Sequence, residues 1–139
     1  MPKERTPEAT ARVAAVSYTQ LAYDPRVRRE AGILADAGYR VDVYALAEPA
    51  HTCPPPPGVT LREVSIPRYR GARADRYLRS YGEFLFRVRG QLREAHRRSP
   101  YALVHCHTMP DLIVLAAGPL RRKGVPVLLD VHDNMPETF

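Results

Sequence analysis

Three histidines and an aspartate stand at the ends of two apolar runs. In YALVHCHT (101–108) His105 and His107 are two residues apart, and in VPVLLDVHD (125–133) His132 and Asp133 follow the apolar residues directly. If the runs are strands, side chains two apart share a face, so His105 and His107 point the same way. A His-x-His pair joined by a further His and Asp has the donor types of a divalent metal site. Spacing alone does not make one: His105 lies deep in its run, as an interior histidine does, and no metal is assigned. His132 is the residue placed for chemistry, because an imidazole at a strand's end changes charge near neutral pH and donates to a substrate hydroxyl or a phosphate oxygen. Asp133 either orients that ring or caps a helix begun by NMPETF. His107 and Thr108 stand at the mouth of their strand, where binding and packing are equally served.

These residues need elements to hold them. The apolar run at 12–19 reads as a buried strand. Asp24-Pro25 then supplies an N-cap and a first-turn proline, and Val27, Ala31, Leu34 and Ala35 follow at helical spacing before Gly38, a suitable residue after a helix end. RVDVYAL (40–46) is a second strand, so the start of the chain is a parallel βαβ unit. A loop stiffened by Pro54 to Pro57 leads to a third strand over 59–67. From about Ala74 to Arg98 the apolar positions Tyr77, Leu78, Tyr81, Leu85, Val88, Leu92 and Ala95 predict a long amphipathic helix. The fourth strand is 101–108, a helix spans 109–123 with Pro110 near its start and Gly124 after its end, and the fifth strand is 125–131. The expected fold is α/β and Rossmann-like: a doubly wound parallel sheet of order 3-2-1-4-5 with helices on both faces. Ligands in such sheets sit beyond the carboxyl ends of the strands where strand order reverses, here between strands one and four. SYTQLAYD, HCHTMPD and HDNMPE end up there. The first of these has no glycine, so the dinucleotide fingerprint is absent and NAD or FAD is not expected.

The totals bound the rest. At 139 residues the chain is one domain, 11–139, behind a polar lead-in of residues 1–10 that reads as disordered and lacks the apolar centre of a signal peptide. The net charge is +6, and 19 of the 21 basic residues are Arg, the side chain that forks onto carboxylate and phosphate. Anionic partners fit that charge, and so does a compositional bias toward Arg, Ala and Pro. Cys53 and Cys106 form no CxxC and no disulfide framework, which fits a reducing compartment. No segment approaches the ~20 apolar residues of a membrane span. Nucleic acid is not an expected partner, since the basic stretch from Arg68 onward lacks interleaved stacking aromatics.

DPRVRREAGILADAGYRVDVYAL, followed by YALVHCHTMPDLIVLAAGPLRRKGVPVLLDVHDNMPETF, resembles the N-terminal domain of GT-B fold retaining glycosyltransferases of the GT4 type. Asp24, Arg26, Val27, Glu30, Ala31, Leu34, Ala35, Gly38, Tyr39, Val41 and Val43 match the pattern of that family's first helix and second strand. Val104, His105 and His107, then Val131, His132 and Asp133, match its fourth and fifth strand ends. The resemblance implies an acceptor-side domain of an enzyme moving a sugar from a nucleotide-sugar donor to a hydroxyl. His132 would face the transferred sugar and donor phosphate, and Asp24, Arg26, His107, Thr108, Asp111 and Asp133 would line the acceptor side. The nucleotide sugar is a co-substrate bound by a second domain, and no cofactor is implied. The family's donor half and the last strands of its acceptor half have no counterpart here, so the chain is expected to be truncated and inactive alone. Strand five would then be an apolar edge open to self-association. The protein is expected in the cytoplasm; in the family the long second helix and its basic flank often dock acceptors or an anionic membrane surface, and the Arg-rich region 68–98 either does likewise at the inner membrane face or, as the charge run favours, is a solvated charged face. Other classes stay open: a recruiting subunit of a two-chain glycosyltransferase, a small hydrolase using a metal on His105, His107, His132 and Asp133, and a nucleic-acid binder.

Overall fold

A computed structural model describes residues 11–47, 54–66, 74–107 and 111–130. Five strands form one sheet: β1 (Arg12–Val16), β2 (Arg40–Leu46), β3 (Val59–Val64), β4 (Tyr101–His107) and β5 (Val127–Asp130). Their order is β3-β2-β1-β4-β5 and every adjacent pair is parallel. The expected fold is thus the observed one. The reason lies in the connections, since parallel neighbours need a crossover and right-handed crossovers put the intervening helices on the faces of the sheet.

Helix α1 (Pro25–Asp36) covers one face. Asp24 caps it, its Oδ1 accepting from the Val27 N–H at 3.2 Å. It ends where the Gly38 N–H donates to the Ala35 carbonyl and the Tyr39 N–H to the Leu34 carbonyl, with Gly38 at φ 99°. That backbone sense is cheap for glycine and costly for other residues. Val27 and Ala31 bury against Ala15, Val41, Val43 and Val59. The other face carries α2 (Ala74–Arg98), a 3₁₀ segment over Asp111–Ala117 and the short α3 (Gly118–Arg122). Tyr81, Phe84, Val88 and Leu92 point from α2 into the larger core cluster, with Val16, Tyr44, Val104, Cys106 and Ile113.

The structure departs from the sequence reading in two elements. The helix expected over 109–123 is a 3₁₀ segment followed by a five-residue α-helix. Pro119 explains the break: it sits in the first turn of α3, where its missing N–H is tolerated, but that N–H could not carry an α ladder through from the preceding segment. In α2 the buried stripe runs through Phe84, while Leu78 is 60% exposed. At 25 residues, α2 is about 37 Å long, against about 23 Å for a seven-residue strand, so the helix outruns the sheet beneath it.

Candidate functional site

The site lies on the α1 side of the sheet, at the carboxyl ends of β1, β4 and β5. It begins with the turn after β1. Thr19 Oγ1 donates to Asp24 Oδ2 at 2.8 Å and pairs with Ser17 Oγ at 2.9 Å. Both Asp24 carboxylate oxygens are therefore engaged within the turn and at the helix start. The Thr19 carbonyl accepts from the Leu46 N–H, and Gln20 Nε2 donates to the Ala47 carbonyl at 3.2 Å. A 3₁₀ turn, Leu21–Tyr23, completes the connection. The glycine-free loop is built by side-chain hydroxyls and a carboxylate, which hold it in one shape.

Arg26 stands in the first turn of α1, with its side chain 42% exposed. Its guanidinium reaches Glu30 Oε1 at 3.6 Å along the helix and Asp130 Oδ1 at 3.4 Å on β5. Asp130 is the register neighbour of His107, and Leu128 of His105. His105 and His107 share a face as the alternation requires, ring centroids 4.1 Å apart. Cys106 points to the opposite core, where burial pushes its thiol pKa up to about 12.

The two histidines differ in access in an order that spacing does not show. His107, nearer the strand's end, is 1% exposed, while His105 is 8% exposed. His105, with Glu30, Leu103, Leu128 and Asp130, lines a pocket of about 370 Å³ beside α1. A roomier concavity of about 730 Å³ lies on the opposite face, between α2 and the β2–β3 side, lined by Arg12, Tyr44, Arg62, Phe86 and Arg87. It is away from the carboxyl ends of the strands, so the smaller pocket is the one that adjoins the crevice.

Of the residues singled out from sequence, the structure brings Arg26 and His107 to one cluster and puts Asp24 two residues before Arg26. Thr108, His132 and Asp133 lie outside the described residues, as does the side chain of Asp111. Spacing missed Glu30 and Asp130 as site residues. A signal existed for each: Glu30 stands beside the apolar stripe of Val27, Ala31 and Leu34, and Asp130 interrupts an apolar strand.

The model of the "Glycosyl transferase 4-like domain" family matches residues 22–138. No curated protein matches the chain. Among solved structures, a C-terminal domain of a Pyrococcus furiosus hydrogenase is similar at 16% identity and TM-score 0.63, covering 88% of this chain and 91% of that one. Sucrose-phosphate synthase from Thermosynechococcus elongatus is similar at 17% identity and TM-score 0.62, covering 88% of this chain and 33% of that one. The glycotransferase of kitacinnamycin is similar at 14% identity and TM-score 0.61, over 88% and 30% of the respective chains. At such identities the structural likeness shows the fold alone. The chain spans about a third of the length of each of those last two proteins.

Proposed function

The chain belongs to the glycosyl transferase 4-like domain family, and from that premise we propose that it is the acceptor-side domain of a glycosyltransferase. The enzyme would move a sugar from a nucleotide diphosphate donor to a hydroxyl, with retention. The supporting observation is the switch point between β1 and β4, lined by a rigid glycine-free loop and by Arg26. A glycine-rich turn would let the backbone approach a diphosphate; here Ser17, Thr19 and Asp24 bond one another to hold the turn, and Arg26 just beyond it is the partly exposed polar group that meets a hydroxyl-bearing acceptor.

Residue roles follow the family pattern. His132 donates to the sugar–phosphate region as the donor bond breaks, stabilising charge on the departing phosphate. Arg26, Thr108, Asp111 and Asp133 position the acceptor, while Asp24 and the buried His107 act through the loop and the strand end that they hold. Donor contacts come from a second domain, so this chain by itself does not turn over. The outer face of α2 presents Arg79, Arg89 and Arg93 with exposed Phe86, which suits an anionic membrane surface carrying the acceptor. β5 is the outer strand on its side of the described sheet and is the proposed route of self-association.

The test combines the chain with a donor-binding half. Turnover of a nucleotide sugar is expected only in the combination, and His132→Ala should lower it by about 10²–10⁴-fold, the usual worth of a positioned proton donor. Turnover by this chain alone, or full activity of His132→Ala in the combination, would refute the assignment.

A further inference from the structure

Four ligand-type atoms meet between α1, β4 and β5. Glu30 Oε2, His105 Nε2, His107 Nδ1 and Asp130 Oδ2 all lie within 4.8 Å of one another. His105 Nε2 is 3.8 Å from each carboxylate oxygen. His107 Nδ1 is 3.6 Å from Glu30 and 4.0 Å from Asp130. A tetrahedral ion with ligands at 2.0–2.1 Å holds them about 3.4 Å apart. The four histidine–carboxylate distances exceed that by about 0.2–0.6 Å and no two of the four atoms are more than 4.8 Å apart, so turning the carboxylates about their rotatable bonds closes the ring. Glu30 Oε2 is shut off from solvent and accepts no hydrogen bond among the described residues.

The charge also favours a cation. Two carboxylates, 27% and 22% exposed, face a single guanidinium, that of Arg26 at the rim, so with imidazoles in the neutral form that binds metals the cluster is one positive charge short. Partly buried charge of one sign is costly unless it is offset, most of all at the solvent-excluded Glu30 Oε2. The register fixes the ligands from three elements: the two rings by alternation on β4, Asp130 by its pairing with His107, and Glu30 by the capped helix above.

We propose that Glu30, His105, His107 and Asp130 form a structural site for a divalent ion of the Zn²⁺ class. Two imidazole nitrogens with two carboxylate oxygens suit that borderline ion; Mg²⁺ and Ca²⁺ prefer oxygen alone. Four protein ligands close the coordination sphere, the mark of a structural site. The ion would tie α1 to the β4–β5 edge beneath the crevice. This inference does not depend on the glycosyltransferase reading. It replaces the expectation of no metal, which considered His132 and Asp133 as the partners of the two histidines; the fold supplies Glu30 and Asp130 instead.

The test uses the full chain, stripped with chelator and dialysed against Zn²⁺ or Co²⁺. About one equivalent should be retained, and saturating Zn²⁺ should raise Tm by roughly 5–10 °C, as expected for an ion bound only by the folded state at about a hundred times its Kd. The Co²⁺ form should show a four-coordinate spectrum without thiolate charge transfer, and Zn²⁺ should shift the imidazole resonances of His105 and His107. Glu30→Gln and Asp130→Asn should each weaken retention by at least about tenfold, while His96→Gln should leave it unchanged. The imidazole shifts on the unmutated chain decide the matter should a variant fail to fold. No retained ion, no movement of the two imidazoles, a thiolate band, or undiminished retention in both carboxylate variants would overturn the site.

Discussion

Cys106 and His96 show how strongly position alters a side chain's chemistry. With a thiol pKa of about 12, Cys106 is thiolate in only about one molecule in ten thousand at pH 8, and its sulfur is packed in the core. Iodoacetamide at pH 8, followed by peptide mapping, should leave Cys106 unmodified in the native protein and modify it in urea; rapid native labelling would contradict its burial. His96 Nδ1 accepts the Tyr101 N–H at 3.0 Å, so it needs the neutral ring. Its pKa is lowered by partial burial and then by the nearby charges of Lys123 and Arg12. A depressed histidine pKa gives a contribution present above the unfolded value of 6.5 and lost as pH falls through the folded one. An NMR titration should place the His96 midpoint below 6.5; a midpoint above it would mean that the junction is not formed as described. At this scale the sequence was legible only in part. The alternation of His105 and His107 could be read, but Glu30 and Asp130 reach them from α1 and β5, and those meetings are facts of register.

Elements were more legible because their signals are local. The proline and the aspartate cap adjoin the start of α1 and the glycine stands just past its end, so each signal lies beside the helix end it marks, and the structure uses each as expected. The signal for the 3₁₀ break, Gly118-Pro119, is equally local, but the apolar spacing continues around it and masks it. The burial of Phe84 in place of Leu78 was not readable, since it depends on where α2 lies along the sheet. The loop into β3 offers a prediction of this kind. Gly58 has φ 82°, and a Cβ there would meet the Ala35 Cβ at 3.1 Å. Gly58→Ala should lower stability by about 1–2 kcal/mol, combining left-handed backbone strain with a tight contact against α1. A chemical denaturation series would read this as a lower midpoint at unchanged slope. A variant as stable as the parent would show that the loop is free to move away from α1.

For the molecule as a whole, the two ends of the sheet have separate tasks. The carboxyl ends of the strands carry the candidate site, while the opposite ends carry a buried polar network joining three strands. Asp42 on β2 accepts from Arg12 Nη2 on β1 at 2.5 Å and from Tyr101 Oη on β4 at 2.6 Å, and Tyr44 Oη pairs with Tyr101 Oη at 2.8 Å. The Arg12 guanidinium also lies over the Tyr101 ring, 4.4 Å from its centroid, and donates to the Ser99 carbonyl at 2.6 Å. Burial, and then donation to Asp42, hold the Tyr101 phenol protonated well beyond its usual range. Such a network specifies which strands meet, because removing one member leaves the others desolvated without partners. Asp42→Ala should therefore cost about 3 kcal/mol, at the lower end for a broken buried pair since Arg12 keeps some solvent contact. In thermal unfolding that amounts to a fall of roughly 10 °C. Asp42→Asn, which keeps an acceptor for Tyr101 but loses the charge, should fall between the variant and the parent. Tyr44→Phe should cost about 1 kcal/mol for one hydrogen bond. If Asp42→Ala unfolds within 1 kcal/mol of the parent, the three central strands are aligned by apolar packing alone, and the network merely occupies the space that packing leaves.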